Sequence, residues 1–99
     1  MYIYNVTISV DKEAHDEWMK WMREVHMPDV IKTGCFIDSR ILKVLNVEDE
    51  GITYSVQYTF LNMGDMEEYK TKHAQRLQKE SLDKFKDKFV AFRTLLEIV

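Results

Sequence analysis

Two long stretches of the sequence alternate between apolar and polar side chains, and this pattern limits the possible folds more than any other feature. Successive side chains of a β-strand point to opposite faces of its sheet, so a period of two predicts a strand buried on one face. The apolar positions are Tyr2, Tyr4, Val6, Ile8 and Val10 in the first stretch, and Tyr54, Val56, Tyr58 and Phe60 in the second. The positions between them are mostly small and neutral, namely Asn5, Thr7 and Ser9, then Thr53, Ser55, Gln57 and Thr59. Both strands are therefore predicted to have an apolar face and an uncharged polar face.

A helix is predicted to follow the first strand, from about Lys12 to Val25. Asp11 is suited to cap it, because its carboxylate can accept hydrogen bonds from the first free helical N–H groups. Apolar residues at helical spacing form its inward stripe: Ala14, Trp18, Trp21, Met22 and Val25. Pro28 is expected to end this helix or to begin a short turn over 29–33, since proline disfavours helical geometry in the residue before it. Gly34 would close that turn in the left-handed conformation.

The segment from Cys35 to Val47 is rich in β-forming residues, and the strand from Ile52 to Leu61 follows it closely. A turn at Asp49, Glu50 and Gly51 would join them, which indicates a hairpin.

A second helix is predicted after the hairpin, with Asn62 or Asp65 as its cap. Its inward stripe consists of Met66, Tyr69, His73 and Leu77, with Ala74 at the edge. Leu82, Phe85 and Phe89 continue the apolar spacing after a kink near Ser81, and a last strand runs from Val90 to Val99.

The resulting order is β-α-β-β-α-β, the split βαβ pattern of a ferredoxin-like α+β domain. Four strands would form an antiparallel sheet with two helices on one face. The 99 residues are expected to form a single domain over 1–99.

Composition excludes several functional classes. With 14 Lys and Arg against 17 Asp and Glu, the net charge is −3, whereas a nucleic-acid-binding protein needs a basic face. No apolar run approaches the roughly 20 residues that span a bilayer, and the N-terminus lacks the features of a signal peptide. The single Cys35 excludes an internal disulfide and fits a reducing compartment, so a cytoplasmic protein is expected.

The uncharged polar face of the two alternating strands suggests a surface that is covered but wet, such as a cavity wall or an interface. A second copy of the sheet would cover it economically, so we expect a homodimer. A plain solvent-facing sheet is the alternative. Arg93 interrupts the apolar last strand between Ala91 and Leu95.

His26 lies at the predicted end of the first helix, where the helix dipole favours imidazolium and raises its pKa. The alternative is a capping side chain that binds the last carbonyls. His73 lies on the apolar stripe next to Tyr69, and a packed core histidine is the simpler interpretation there. Arg93 can bind a carboxylate bidentately or pair with an acidic residue across a dimer, whereas Arg40 is expected to be an exposed edge charge.

No metal or cofactor is expected from the sequence. His15, Met19, Met22 and His26 follow one helix edge, but at 1.5 Å per residue they span about 16 Å and cannot meet one ion. Cys35 is expected to pack as a small hydrophobe. Phosphate-binding glycine loops, zinc ligand clusters and serine-hydrolase spacings are absent from the sequence.

The chain resembles a family of small bacterial proteins classified as a domain of unknown function, within the dimeric α/β-barrel superfamily. The segments that carry the resemblance are Tyr4-Asn5-Val6-Thr7, Trp18-Met19-Lys20-Trp21-Met22, His26-Met27-Pro28-Asp29-Val30, Thr33-Gly34-Cys35-Phe36, Tyr54-Ser55-Val56-Gln57-Tyr58, Tyr69 with His73-Ala74, and Phe92-Arg93-Thr94-Leu95-Leu96. The superfamily includes antibiotic-biosynthesis monooxygenases, the EthD group and muconolactone isomerase. The resemblance implies the fold and dimerisation, and enzymes of the superfamily often have a functional histidine in the region of His26.

Three hypotheses follow. The first is a homodimeric small-molecule-binding protein with a pocket between sheet and helices, near Asn5, Gln57, His26, His73, Tyr69 and Arg93. The second is a cofactor-free monooxygenase or isomerase with His26 or His73 as general base and Arg93 or Asn5 stabilising an anion. The third is a non-catalytic dimerisation or partner-binding module.

Overall fold

A computed structural model of the chain describes residues 1–45, 47 and 50–99. These residues form four antiparallel strands: β1 (Tyr2–Val10), β2 (Asp38–Lys43), β3 (Ile52–Phe60) and β4 (Phe89–Glu97). The strands lie in one sheet in the order β2-β3-β1-β4. The predicted ferredoxin-like fold is thereby confirmed. Asp49 of the predicted hairpin turn lies outside the described residues.

The register of the sheet separates two faces. Tyr4 pairs with Tyr58, and Val6 pairs with Val56, so the apolar positions of the two central strands share one face. Their side chains are buried beneath the helices, as predicted. We call this the helix-covered face. None of the described helices lies on the opposite face, which we call the open face.

The polar positions of β1 and β3 are confirmed on the open face, but the face is less neutral than predicted. Strand β2 pairs Arg40 with Gln57 and Asp38 with Thr59, which brings both charged residues to this face.

The first helical segment departs from prediction in three ways. It begins with a 3-10 turn at Lys12–Ala14, and the Asp11 side chain makes no capping hydrogen bond. Helix α1 (His15–Trp21) then leads into a π-helical turn at Met22–His26, where the Met27 N–H donates to the Met22 carbonyl.

Pro28 does not end the helix. Helix α2 (Met27–Lys32) continues directly from the π-helical turn, with Pro28 in its first turn. Proline needs no N–H at that position, and the wider turn before it accommodates the missing hydrogen bond. Gly34 then closes α2 with a φ of 80°, as predicted.

The π-helical turn also moves the buried stripe. Trp18 and Met22 are buried as predicted, but the next buried residue is Met27, five positions on. Val25 was predicted to face the sheet, yet 42% of its surface is exposed. The extra residue in the turn rotates the following side chains, which is why the regular 3.6-residue period failed there.

The second helical segment is divided into α3 (Met63–Lys72) and α4 (Ala74–Lys84). The Asn62 carboxamide oxygen accepts a hydrogen bond from the Asp65 N–H at 3.0 Å, which confirms the predicted cap. The break lies at His73, with φ of −129°, and not near Ser81, which is inside α4. Leu77 and Phe85 are buried, whereas Leu82 is exposed.

Candidate functional site

A cavity of about 200 Å³ lies between the helix-covered face of the sheet and the helices. Val6 and Ile8 of β1 and Val56 of β3 line it from the sheet, and Trp18 lines it from α1. Strand β4 contributes Ala91 and Arg93, whose side chains are on this face because they pair with Ile8 and Val6. Helix α4 contributes polar groups through Gln78 and Ser81.

The π-helical turn brings His26 to this cavity. Its ring stacks on Trp21 with centroids 4.9 Å apart and an interplanar angle of 25°. Trp21 in turn meets Phe85 edge-on, with centroids 5.4 Å apart. Aromatic contacts on the helical layer therefore hold the imidazole at the cavity wall.

Burial, opposed by the Asp29 charge and aided by the Arg93 charge, lowers the pKa of His26 to about 4. Its Nδ1 is buried without a hydrogen-bond partner among the described residues. The expected rise of this pKa was wrong, because burial dominates and the helical backbone continues past His26 into α2. The imidazole is neutral at pH 7.

Two tyrosine hydroxyls share the cavity. Burial raises the pKa of Tyr58 and of Tyr69, so both are protonated and can donate hydrogen bonds. Neither hydroxyl has a hydrogen-bond partner in the part of the chain that the structure describes. Tyr69 lies on the buried stripe of α3, packed edge-on against Phe36 at 4.9 Å between centroids.

Arg93 provides positive charge at the cavity and is itself exposed. Its Nε donates to the Tyr4 hydroxyl oxygen at 3.0 Å. No carboxylate of the described residues lies within 4.0 Å of its guanidinium. A second cavity of about 230 Å³ adjoins the first, and Tyr4, Tyr69, Gln78 and Arg93 line both.

Asn5 and Gln57 do not lie at the cavity, contrary to their predicted placement. They pair with each other across β1 and β3 on the open face. Each also has a partner there: Gln57 donates to Ser55 at 3.1 Å and accepts from Arg40 at 2.9 Å. Asn5 accepts from Ser55 and donates to Thr7 at 3.1 Å. The reason is that neighbouring residues of a strand point to opposite faces. Arg93 pairs with Val6 on the helix-covered face, whereas Asn5 points to the open face.

His73 also lies outside both of these cavities. It is half-buried at the break between α3 and α4, with its ring centroid 6.4 Å from that of Tyr69. Of the residues predicted for one site, the structure thus brings together His26, Tyr69 and Arg93. Cys35 is buried, 3.9 Å from the Thr33 carbonyl oxygen, as expected for a packed thiol.

Sequence reasoning missed three features of the molecule. Tyr58 was assigned only to the core, and Gln78 carries no signal that separates it from a solvated helix residue. The third is a contact between His15 Nε2 and the Tyr54 hydroxyl at 2.6 Å, with Asp16 at 2.9 Å from His15 Nδ1. Within the described residues, no three His, Cys, Asp or Glu side chains are grouped as metal ligands would be.

The family model described as Domain of unknown function (DUF4286) matches residues 1–99. The chain belongs to this family. No curated protein sequence matches it. None of the described helices of this DUF4286 protein is long and apolar enough to cross a membrane.

Two solved structures share its fold. An ethyl tert-butyl ether (EthD) family protein from Bacillus halodurans has a TM-score of 0.68 and 10% identity, with 100% of both chains covered. A dimeric ferredoxin-like protein from an uncultured marine organism has a TM-score of 0.67 and 19% identity, with 100% of this chain and 95% of that chain covered. At these identities the likeness establishes the fold alone, including the resemblance to the EthD group.

Proposed function

We propose that this DUF4286 protein is a homodimeric small-molecule-binding protein whose ligand occupies the cavity between sheet and helices. The observation that carries the proposal is the set of unpaired polar groups at one small cavity. The buried one is the His26 Nδ1, and the Tyr58 and Tyr69 hydroxyls and the two Nη atoms of Arg93 accompany it. A buried polar atom left without a partner costs about 1–3 kcal/mol, and a ligand that pairs with it recovers this free energy.

The size and lining of the cavity support a small, partly apolar ligand. Its volume of about 200 Å³ compares with roughly 150 Å³ for an apolar protein cavity that binds benzene. Aromatic and aliphatic side chains form most of the wall, and few polar groups converge on it, which is typical of ligand sites.

The electrostatics of His26 favour binding over proton abstraction. An efficient general base has a pKa near the working pH, and a histidine with a pKa of about 4 is a weak base at pH 7. The other candidate base, His73, lies outside the cavity. The imidazole is therefore better suited to forming a hydrogen bond with a bound molecule.

The open face supports the dimer. Its β4 side has exposed apolar side chains, including Val90 and Phe92, the latter with 63% of its surface exposed. Its polar side chains already pair with one another from Arg40 to Thr7, so covering them leaves few groups without partners. A face of this kind suits a second copy of the same face, and the solved marine neighbour is described as dimeric.

A fragment titration followed by NMR tests the ligand site. Monocyclic fragments such as benzoate, phenylacetate, hexanoate and their primary amides are added to the full chain. We expect at least one to shift resonances of Trp18 and Ala91, which line the cavity. The variant Ala91→Leu fills the cavity and should abolish binding, whereas Val90→Leu, on the other face of the same strand, should retain it.

Two outcomes would contradict the ligand site. One is that no fragment binds at millimolar concentration. The other is that the fragments bind equally well to both variants, which would place their site elsewhere.

A further inference from the structure

The cavity wall has a positive charge and no matching negative charge among the described residues. Arg93 lines it, and no Asp or Glu is among the described residues of its wall. Burial keeps His26 neutral and keeps both tyrosines protonated. The cavity therefore has a positive charge and hydrogen-bond donors with no compensating anion, and the Arg93 charge has no carboxylate within 4.0 Å in the described part of the chain.

The guanidinium is held in a defined orientation. Its Nε donates to the Tyr4 hydroxyl at 3.0 Å, and Tyr4 is buried against Tyr69 with ring centroids 5.7 Å apart. Neither Nη atom has a hydrogen-bond partner among the described residues. A planar guanidinium with free nitrogens matches the two oxygens of a carboxylate. Gln78, half-buried on α4, lines the same two cavities and adds an amide donor.

We propose that the ligand is a small monocarboxylate with an apolar body, and that Arg93 binds its carboxylate while Tyr69 and Gln78 donate to the same group. This inference rests on the proposed function, because it assigns the chemical class of the molecule bound in the same cavity.

The apolar body follows from the rest of the wall. Away from Arg93, the cavity is lined by Trp18, Met22, Val30 and Val56, all of them buried. These side chains offer no charge to a second ionised group. A ligand charged at both ends would therefore leave one charge buried without a partner.

Arg93 could instead pair with an acidic side chain of the second copy, since it lies on the edge strand β4. The hydrogen bond from Arg93 Nε to the Tyr4 hydroxyl favours ligand binding over pairing across the dimer, because it turns the guanidinium toward the helix-covered face. That face carries no other copy if the open faces meet.

The test compares matched pairs of carboxylates and primary amides. Binding of benzoate and benzamide, and of phenylacetate and phenylacetamide, is measured by NMR titration with wild type, Arg93→Gln, Arg93→Lys and Arg40→Gln. We expect each carboxylate to bind about tenfold or more tightly than its amide, as charge-assisted hydrogen bonds imply. Arg93→Gln should remove that preference, Arg93→Lys should keep part of it, and Arg40→Gln, on the open face, should leave it unchanged.

Sedimentation of the same variants separates the two roles of Arg93. Dissociation of the dimer by Arg93→Gln with no change in carboxylate preference would overturn the inference in favour of pairing across the dimer. Equal binding of acids and amides would also overturn it, yet would leave the small-molecule site standing. If no fragment bound at all, the inference and the proposed function would both fail.

Discussion

The two faces of the sheet differ in how far their polar groups are hydrogen-bonded. On the open face, polar side chains form a connected set of hydrogen bonds from Arg40 through Gln57 and Ser55 to Asn5, while apolar side chains such as Phe92 remain exposed. On the helix-covered face, most apolar side chains of β1 and β3 are buried, and the His26 Nδ1 at the cavity lacks a partner among the described residues.

The contrast indicates which kind of partner would stabilise each face. An apolar surface with satisfied polar groups gains free energy from being covered by another apolar surface. A small cavity with unsatisfied polar groups gains free energy from a molecule that supplies hydrogen-bond partners. We therefore propose dimerisation through the open face and ligand binding at the helix-covered face.

The largest expected effect comes from placing the same charge on each face of β1. Val10→Asp puts a carboxylate at a fully buried position of the helix-covered face that neither lines the cavity nor pairs with Arg93. The carboxylate has to be desolvated there, so this variant should lower the free energy of unfolding by several kcal/mol. Thr7→Asp puts it on the half-buried open face, where Asn5 can still donate to it. The monomer should remain folded while its dimer weakens. Chemical denaturation and sedimentation would measure the two effects, and equal destabilisation by both variants would remove the distinction between the faces.

The next effect is the pH dependence of stability through His26. Its pKa is about 4 in the folded chain, against 6.5 for an unperturbed histidine, so the unfolded chain binds more protons between these values. Stability should therefore fall as the pH drops from about 6.5 to about 4 and should change no further through this group below that. The full shift corresponds to about 3 kcal/mol.

The variant His26→Phe keeps a ring against Trp21 and removes the titrating group. The denaturant midpoint of the variant relative to wild type should rise as the pH falls from 7 to 4, because only the wild type loses stability through this group. A constant difference across this range would contradict the burial of His26 as a neutral side chain.

The agreement between sequence and structure is closest where a period of two dominates. Strands β1 and β3 have the predicted faces, and their ends differ from the prediction by at most one residue. The π-helical turn could not be predicted, because one extra residue in a turn leaves no compositional signal and depends on packing against the sheet.

The misplacement of Asn5 and Gln57 also arises from contacts that the local sequence does not determine. Which face Arg93 shares depends on the register of β4 against β1, a pairing between residues distant in sequence.

The smallest expected effect concerns Asn5, which was predicted to bind ligand but lies on the open face with only 8% of its surface exposed. Asn5→Ala removes its hydrogen bonds to Ser55 and Thr7 and should lower the free energy of unfolding by about 1–2 kcal/mol. Fragment affinity should not change. Thermal denaturation would measure the change in stability, and the benzoate titration would measure the affinity. A loss of affinity in a fully folded variant would indicate that Asn5 does belong to the ligand site.

The most direct measurement uses two neighbouring residues of β4. Ala91 faces the cavity, and Val90 faces the open side of the same strand. Their methyl resonances can be followed in one NMR titration with phenylacetate. The account predicts that the Ala91 methyl shifts in a saturable way while the Val90 methyls stay unchanged. A saturable shift of Val90 without a shift of Ala91 would place the ligand on the open face and contradict the assignment of the two faces.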